Sequence, residues 1–290
     1  MSVRRCRPWL VLTLALGVIA ACAPLRPFSR TAVGSGPTVR QQPDPLAAPW
    51  VLRDGGARRA QIIAVRALLT SELDATVRVD TLRSTMGVAW SAVPGTTPAR
   101  LAGMVTDFRA VMGGDSSGVP AGVNLPFSFV AESRGPGLQP VFTIPESGSC
   151  TNPNAAVMQG VRDTWLSLPD TMVRGTTWRD SSTYLVCRDG LPMTVSAVRT
   201  FTVTGARMRE GQLVVVVQRV TATQLAGSGH QFGEPIALLG EGEGTMQLDV
   251  ALAGGVIVHG EGVAELRLEM QGRRRTLVLR QASTVEIREP

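Results

Sequence analysis

The stretch QLVVVVQRVTATQLAG, Gln212–Gly227, decides the fold. It is rich in β-branched residues and follows a Gly-containing turn, ARMREG, so it reads as a long strand. Within it Leu213–Val217 (LVVVV) does not alternate, which means both faces of that part are apolar or covered.

Working outward, the same character recurs on either side. TYLVCR and TVSAVRTFTVTG precede the stretch; GTMQLDVAL, GVIVHGEGVAELRLEM and RTLVLRQASTVEIRE follow it, separated by turns such as DG, AGG and QGR. Links this short favour antiparallel neighbours over βαβ crossovers, so the chain from Thr176 onward is a meander. Upstream, Asp74–Ser91, Leu101–Met112 and Pro126–Ile144 also read as strands, with Val77, Val79, Val88 and Trp90 at alternating positions in the first. Residues Arg58–Glu72 fit a helix by composition and a strand by their place at the start of a sheet. One helix is expected at about 154–168, where Asn154 caps AAVMQGVRDTWLSL, an apolar stripe runs through Val157, Val161, Trp165 and Leu168, and Pro169 ends the run. The predicted fold class is mainly β (α+β): a large curved antiparallel sheet or half-barrel with one or two short helices packed on it. One β-rich domain is expected over 51–290, with strand-rich halves at about 51–150 and 170–290 joined by that helix.

The chain begins MSVRRCRP and then runs from Trp9 to Ala21 without a charge. Thirteen residues make about 20 Å of helix, short of the roughly 20 residues that span a bilayer, and the plan is that of an export signal over 1–21. Ile19-Ala20-Ala21-Cys22 resembles the lipobox of bacterial lipoproteins. That resemblance implies a lipid on Cys22 after cleavage, and Ala23 in place of an aspartate implies the periplasmic face of the outer membrane. Two or three acyl chains, at about 0.8 kcal/mol per buried CH₂, anchor firmly. Residues 22–50 then hold the lipidated cysteine and a tether with six prolines and little periodicity, reaching about 30 Å if coil-like.

The formal charge of +6 does not point to nucleic acid. All 29 basic side chains are arginine, three of them leave with the signal, and 26 then face 23 acids with no basic run longer than Arg273–Arg275. Aromatics are only 4% of residues, so stacking platforms are scarce. Of four cysteines, Cys6 is removed and Cys22 is modified, which leaves Cys150 and Cys187 in an oxidising compartment. A bridge between them would close a loop of 37 residues and stabilise by about 4 kcal/mol in the chain-entropy model; two buried thiols are the other reading.

No catalytic constellation is apparent. Gly114-Asp115-Ser116-Ser117-Gly118 matches G-x-S-x-G, yet GVPAGVNLP after it cannot form the helix a nucleophile elbow needs, and both histidines, His230 and His259, lie downstream. A flexible loop is expected there. His259 and Glu261 share a strand face that Glu241 and Glu243 could join, but one imidazole and scattered carboxylates fall short of a metal set. Gly240, Gly242 and Gly244 precede a strand rather than a helix, so a bulged or tight start to that strand is expected in place of a dinucleotide turn. No cofactor and no metal are expected.

Leu168, Pro169, Val173, Gly175 and Trp178 carry a Leu-Pro…Val-x-Gly-x-x-Trp pattern that resembles a family of uncharacterised bacterial lipoproteins. The order of elements also resembles the half-barrel superfamily of periplasmic lipoprotein carriers. That likeness implies a curved sheet holding an apolar ligand against short helices, and it supplies no catalytic residues. The expected function is that of a membrane-anchored, monomeric, non-enzymatic protein binding a lipid or acyl chain on the concave side. The alternative is an envelope interaction or structural module with a filled core.

Overall fold

The computed structural model describes residues 50–51, 59–73, 76–93, 100–113, 115–118, 125–133, 138–142, 166, 168–169, 171–188, 191–231, 233–252, 255–273 and 275–290. Their strands, in chain order, are β1 (Trp50–Val51), β2 (Arg59–Leu73), β3 (Thr76–Val93), β4 (Arg100–Met112), β5 (Asp115–Gly118), β6 (Leu125–Ser133), β7 (Leu138–Phe142), β8 (Thr171–Met172), β9 (Thr177–Arg188), β10 (Leu191–Arg209), β11 (Gln212–Gln231), β12 (Glu234–Ala251), β13 (Val256–Gln271) and β14 (Thr276–Arg288). There is no helix among the described residues.

Twelve strands form one antiparallel sheet in the order β7-β6-β4-β3-β2-β14-β13-β12-β11-β10-β9, with β5 pairing to β4 off that path. The C-terminal half is the expected meander. The two halves share the sheet because β14, the last strand, pairs with β2 from Leu277 opposite Leu73 to Arg288 opposite Ile62. The ambiguity over Arg58–Glu72 resolves to a strand: β2 sits between β3 and β14, and its Ile63, Val65 and Ala67 are buried on one face. Pairing on both sides satisfies every backbone group of a central strand, and that outweighs a composition that suits a helix equally well.

Burial alternates along the long strands, so one face is buried and the other largely open. Leu213–Val217 behaves as its lack of alternation predicts. Val215 and Val217 belong to the main buried cluster, while Val214 joins Ala251 and Val258 in a small cluster on the opposite face. In β3 the four marker residues divide, because Val88 and Trp90 are buried whereas Val77 and Val79 are 59% and 56% exposed on the other face. Their odd and even numbers place them on opposite sides of an uninterrupted strand.

Two expectations are corrected. The glycines of LLGEGEGTM stand inside β12, which runs unbroken from Glu234, and do not mark its start. The GDSSG stretch is no free loop, since Asp115–Gly118 is β5, pairing with Arg109–Met112. The helix expected over 154–168 lies outside the described residues except for Leu166 and Leu168; these, like Pro169, are non-helical, and both leucines are buried in the main cluster. The expected signal peptide over 1–21, Cys22 and nearly all of the expected tether also lie outside the described residues. Trp50 and Val51 pair with Met172 and Thr171, so the last residue of the expected tether takes part in a strand pair.

Candidate ligand-binding face

The register aligns the buried face of β9–β14 into rungs. One apolar cluster includes Phe201, Val203, Val217, Leu248, Val285 and Ile287, together with residues of β2–β4. A second, nearer the other ends of the same strands, includes Met193, Val195, Leu225, Leu238, Leu268 and Met270. Between them lie two rungs of different chemistry. The first reads Asp180, Arg199, Thr221, Gly244, Ala264, Ser283 from β9 to β14. The second reads Ser182, Ala197, Thr223, Gly242, Leu266, Gln281. Only Leu266 among these is large and apolar. At about 4.8 Å per strand the belt crosses some 24 Å of sheet.

The belt is as deeply buried as the clusters beside it, with Ser182, Arg199, Thr221, Thr223, Gln281 and Ser283 each 4–7% exposed. Arg199 Nε donates to Asp180 Oδ1 at 2.7 Å, which cancels the charge, and Ser283 Oγ donates to the Ala264 carbonyl at 3.3 Å. Other polar atoms are unmatched. Gln281 Nε2 and Oε1 and Ser182 Oγ have no hydrogen-bond partner among the described residues, and neither has Ser84 Oγ, which lies on the same face of β3. An amide buried without a partner costs about 1–3 kcal/mol, so this face carries hydrogen-bonding groups that the described residues leave unsatisfied.

Two glycines of β13 mark where neighbouring strands approach closely. A Cβ on Gly262 would lie 2.4 Å from the Thr245 carbonyl oxygen, and one on Gly260 would lie 2.8 Å from Leu248 Cδ2. Neighbouring strands therefore close in over the buried side at β13, where only hydrogen fits.

The open face carries most of the residues singled out from the sequence. His259 and Glu261 do share it, with Asp249 in register opposite His259, and with Gln247 and Glu286 flanking Glu261. Glu243 faces Glu265 instead, four residues along β13 and about 13 Å from Glu261, so the carboxylates do not converge. No group of three or more potential metal ligands assembles among the described residues. Asp249 is fully buried, and its Oδ2 accepts hydrogen bonds from Arg207 Nε and Nη2, at 3.2 and 2.7 Å, and from Arg209 Nη1 at 3.0 Å. An open trough beside it is lined by Arg66, Gln218, Thr245, Gln247, Glu261 and Thr284.

The Leu-Pro…Val-x-Gly-x-x-Trp pattern has a local structural meaning. Leu168 packs in the main cluster, Gly175 adopts φ +86° in a turn where Thr176 N donates to the Val173 carbonyl, and Trp178 stacks on Phe201 with ring centroids 5.1 Å apart. The pattern leads the chain into β9. Ser116 lies on β5 and His230 on β11 opposite Pro235. Cys187 lies on β9 opposite Pro192, and its expected partner Cys150 is outside the described residues. Sequence reading missed the polar belt. Its only signal is that polar or small residues interrupt the apolar parity of several strands, and these interruptions align only once the register is known.

No known protein family, no curated protein and no solved structure matches the chain.

Proposed function

We propose that this chain is a lipid-anchored, non-enzymatic protein of the cell envelope whose β-domain holds a hydrophobic ligand on the buried face of a curved, half-barrel-like sheet. The anchor is the lipid on Cys22, the tether holds the domain off the periplasmic face of the outer membrane, and Cys150 and Cys187 form a disulfide. The observation that carries the ligand reading is the polar belt, because unmatched hydrogen-bonding atoms between two apolar clusters suit an amphipathic guest better than a dry core.

The first test uses the full chain with Cys22→Ser, which cannot carry the thioether lipid. Mass spectrometry of solvent extracts is expected to find co-purifying lipid, and the protein is expected to bind an apolar fluorophore. A lipid-free protein without affinity for the fluorophore would remove the ligand reading. Loss of palmitate incorporation in the same variant checks the anchor, and alkylation with and without reductant checks the disulfide.

One observation favours the second reading, an interaction module with a filled core. Val195, Val217, Leu248, Leu268 and Ile287 on the buried face have no exposed surface. Such a module would present its open face or its strand edges to an envelope protein, and proximity labelling in the native cell would recover that neighbour.

A further inference from the structure

The geometry points to a membrane-docking surface on the open face of β2–β4, where three arginines meet the phosphates of an anionic phospholipid leaflet and neighbouring apolar side chains enter it. Arg66 stands directly opposite Arg83, and Arg109, opposite Thr85, lies one rung along β4 from Val111, which faces Arg83. At about 4.8 Å between strands and about 7 Å between same-face residues of one strand, the three Cα atoms lie within about 12 Å of one another. All three side chains are exposed, and none makes an ion pair or hydrogen bond with the described residues. The carboxylates of these strands do not neutralise them. Asp80 bonds Arg78, Glu72 stands six residues beyond Arg66, and Asp107, at the left-handed bulge of β4, pairs with no cation among the described residues. On β14, Glu286 has Arg288 at 3.9 Å. Like charges in register cost stability, and an anion seated between them removes that cost.

The apolar neighbours select a bilayer over a free anion. On the same face Val111 and Leu68 adjoin the arginines, and Val79 and Val77 follow along β3, at 41%, 47%, 56% and 59% exposed. Such side chains gain nothing from a soluble phosphate, whereas a lipid interface buries them. Guanidiniums match phosphate oxygens two hydrogen bonds at a time. For the partner's proximity the inference rests on the anchor reading above: a lipid on Cys22 and a tether reaching about 30 Å keep this face beside a leaflet, where modest intrinsic affinity suffices.

Co-sedimentation with vesicles tests this, using the full chain with Cys22→Ser so that no lipid of its own holds the protein to the bilayer. Vesicles of phosphatidylcholine alone are compared with vesicles of equal parts phosphatidylcholine and phosphatidylglycerol. Every variant shares the same N-terminal segment, so differences between them report on the patch. Arg66→Gln, Arg83→Gln and Arg109→Gln are each expected to raise the lipid concentration needed on the mixed vesicles about fivefold, and the triple variant about 100-fold, with binding to phosphatidylcholine unchanged. Added salt is expected to shrink these differences. Arg179→Gln, exposed on β9 at the far edge of the sheet, is expected to change neither. Leu68→Ser with Val79→Ser is expected to weaken binding to the mixed vesicles about 10-fold. All these side chains are exposed, so an unchanged urea midpoint checks that each variant is folded. Equal losses from Arg179→Gln and the patch variants would show bulk charge at work and overturn the site. Undiminished binding by the triple variant would overturn it as well. Undiminished binding by the Leu68/Val79 variant, with inorganic phosphate displacing the protein, would mark a phosphate site in place of membrane docking. A parent chain that binds polyglutamate but not the mixed vesicles would give the patch to an acidic protein. None of these readouts depends on palmitate incorporation, so the anchor reading and this inference fail separately.

Discussion

At the scale of single residues, the domain contains polar groups that sequence statistics would place in solvent. Asp180 and Arg199 are both nearly buried and face each other across β9 and β10 at 2.7 Å. Breaking a buried ion pair by removing one partner is strongly destabilising, whereas replacing both with apolar groups of similar volume is often nearly neutral. Asp180→Ala is therefore expected to lower unfolding stability by about 3 kcal/mol, and Asp180→Leu with Arg199→Met to lie within about 1 kcal/mol of the parent. Urea unfolding reads both, and equal losses from the single and double changes would show that packing, not charge, holds this site. Asp249 makes the converse arrangement on the open face, where two part-exposed guanidiniums fold over one buried carboxylate. None of these pairings is legible in the chain, because the partners stand 19, 42 and 40 residues apart and meet only through the register.

Strands and turns were far more legible. The β-branched runs from Thr176 onward are strands, and Val214–Val217 of LVVVV are buried on both faces, as the lack of alternation predicts. Glycine was the obstacle, since its usual meaning is a turn, and the chain uses it both ways. Glu210 and Gly211, at φ +47° and +83°, form the two-residue turn between β10 and β11. A left-handed glutamate is costlier than asparagine there, so Glu210→Asn is expected to stabilise by about 0.5–1 kcal/mol in a thermal melt. Gly262, in mid-strand, is required by proximity. Gly262→Ala would set a methyl 2.4 Å from a backbone oxygen of β12, so the strands must separate, and a loss of about 1–3 kcal/mol is expected by urea denaturation. An unchanged midpoint would mean that the sheet is not tight at β13. GEGEG could not be told from a loop in isolation. What distinguishes it is that Gly240, Gly242 and Gly244 all fall at the parity that faces Leu225, Thr223 and Thr221 of β11, whereas Glu241 and Glu243 fall at the other.

At the scale of the whole molecule, the topology assigns unequal weight to the two ends of the domain. The first long strand and the last are neighbours at the centre, and β7 and β9, on either side of the chain's midpoint, are the edges. A meander read from the sequence alone places β14 at an edge. Nothing local to its residues reveals β2 as its partner, because the pairing joins Leu277 to Leu73 across the length of the domain. The consequence is that neither half of the sheet can close its buried face alone. Val285 and Ile287 of β14 belong to the same cluster as Ile63 and Val65 of β2 and Leu248 of β12. Truncation after Gly272 removes β14 and opens two inner edges, one on β13 and one on β2, in place of a continuous ladder. The truncated chain is expected to lose cooperative urea unfolding and to aggregate, although it retains every turn and hairpin of the meander up to β13. In the intact chain, β14 amides are expected among the slowest to exchange with deuterium, and those of the edge strands β7 and β9 among the fastest. A truncated protein that still unfolds cooperatively at the parent's midpoint would show that the halves are independent and that the shared cluster contributes nothing. Because the β2–β14 pairing closes so long a loop, it should also form late in refolding, with protection of β14 amides lagging that of the β10–β11 hairpin in a pulse-labelling experiment.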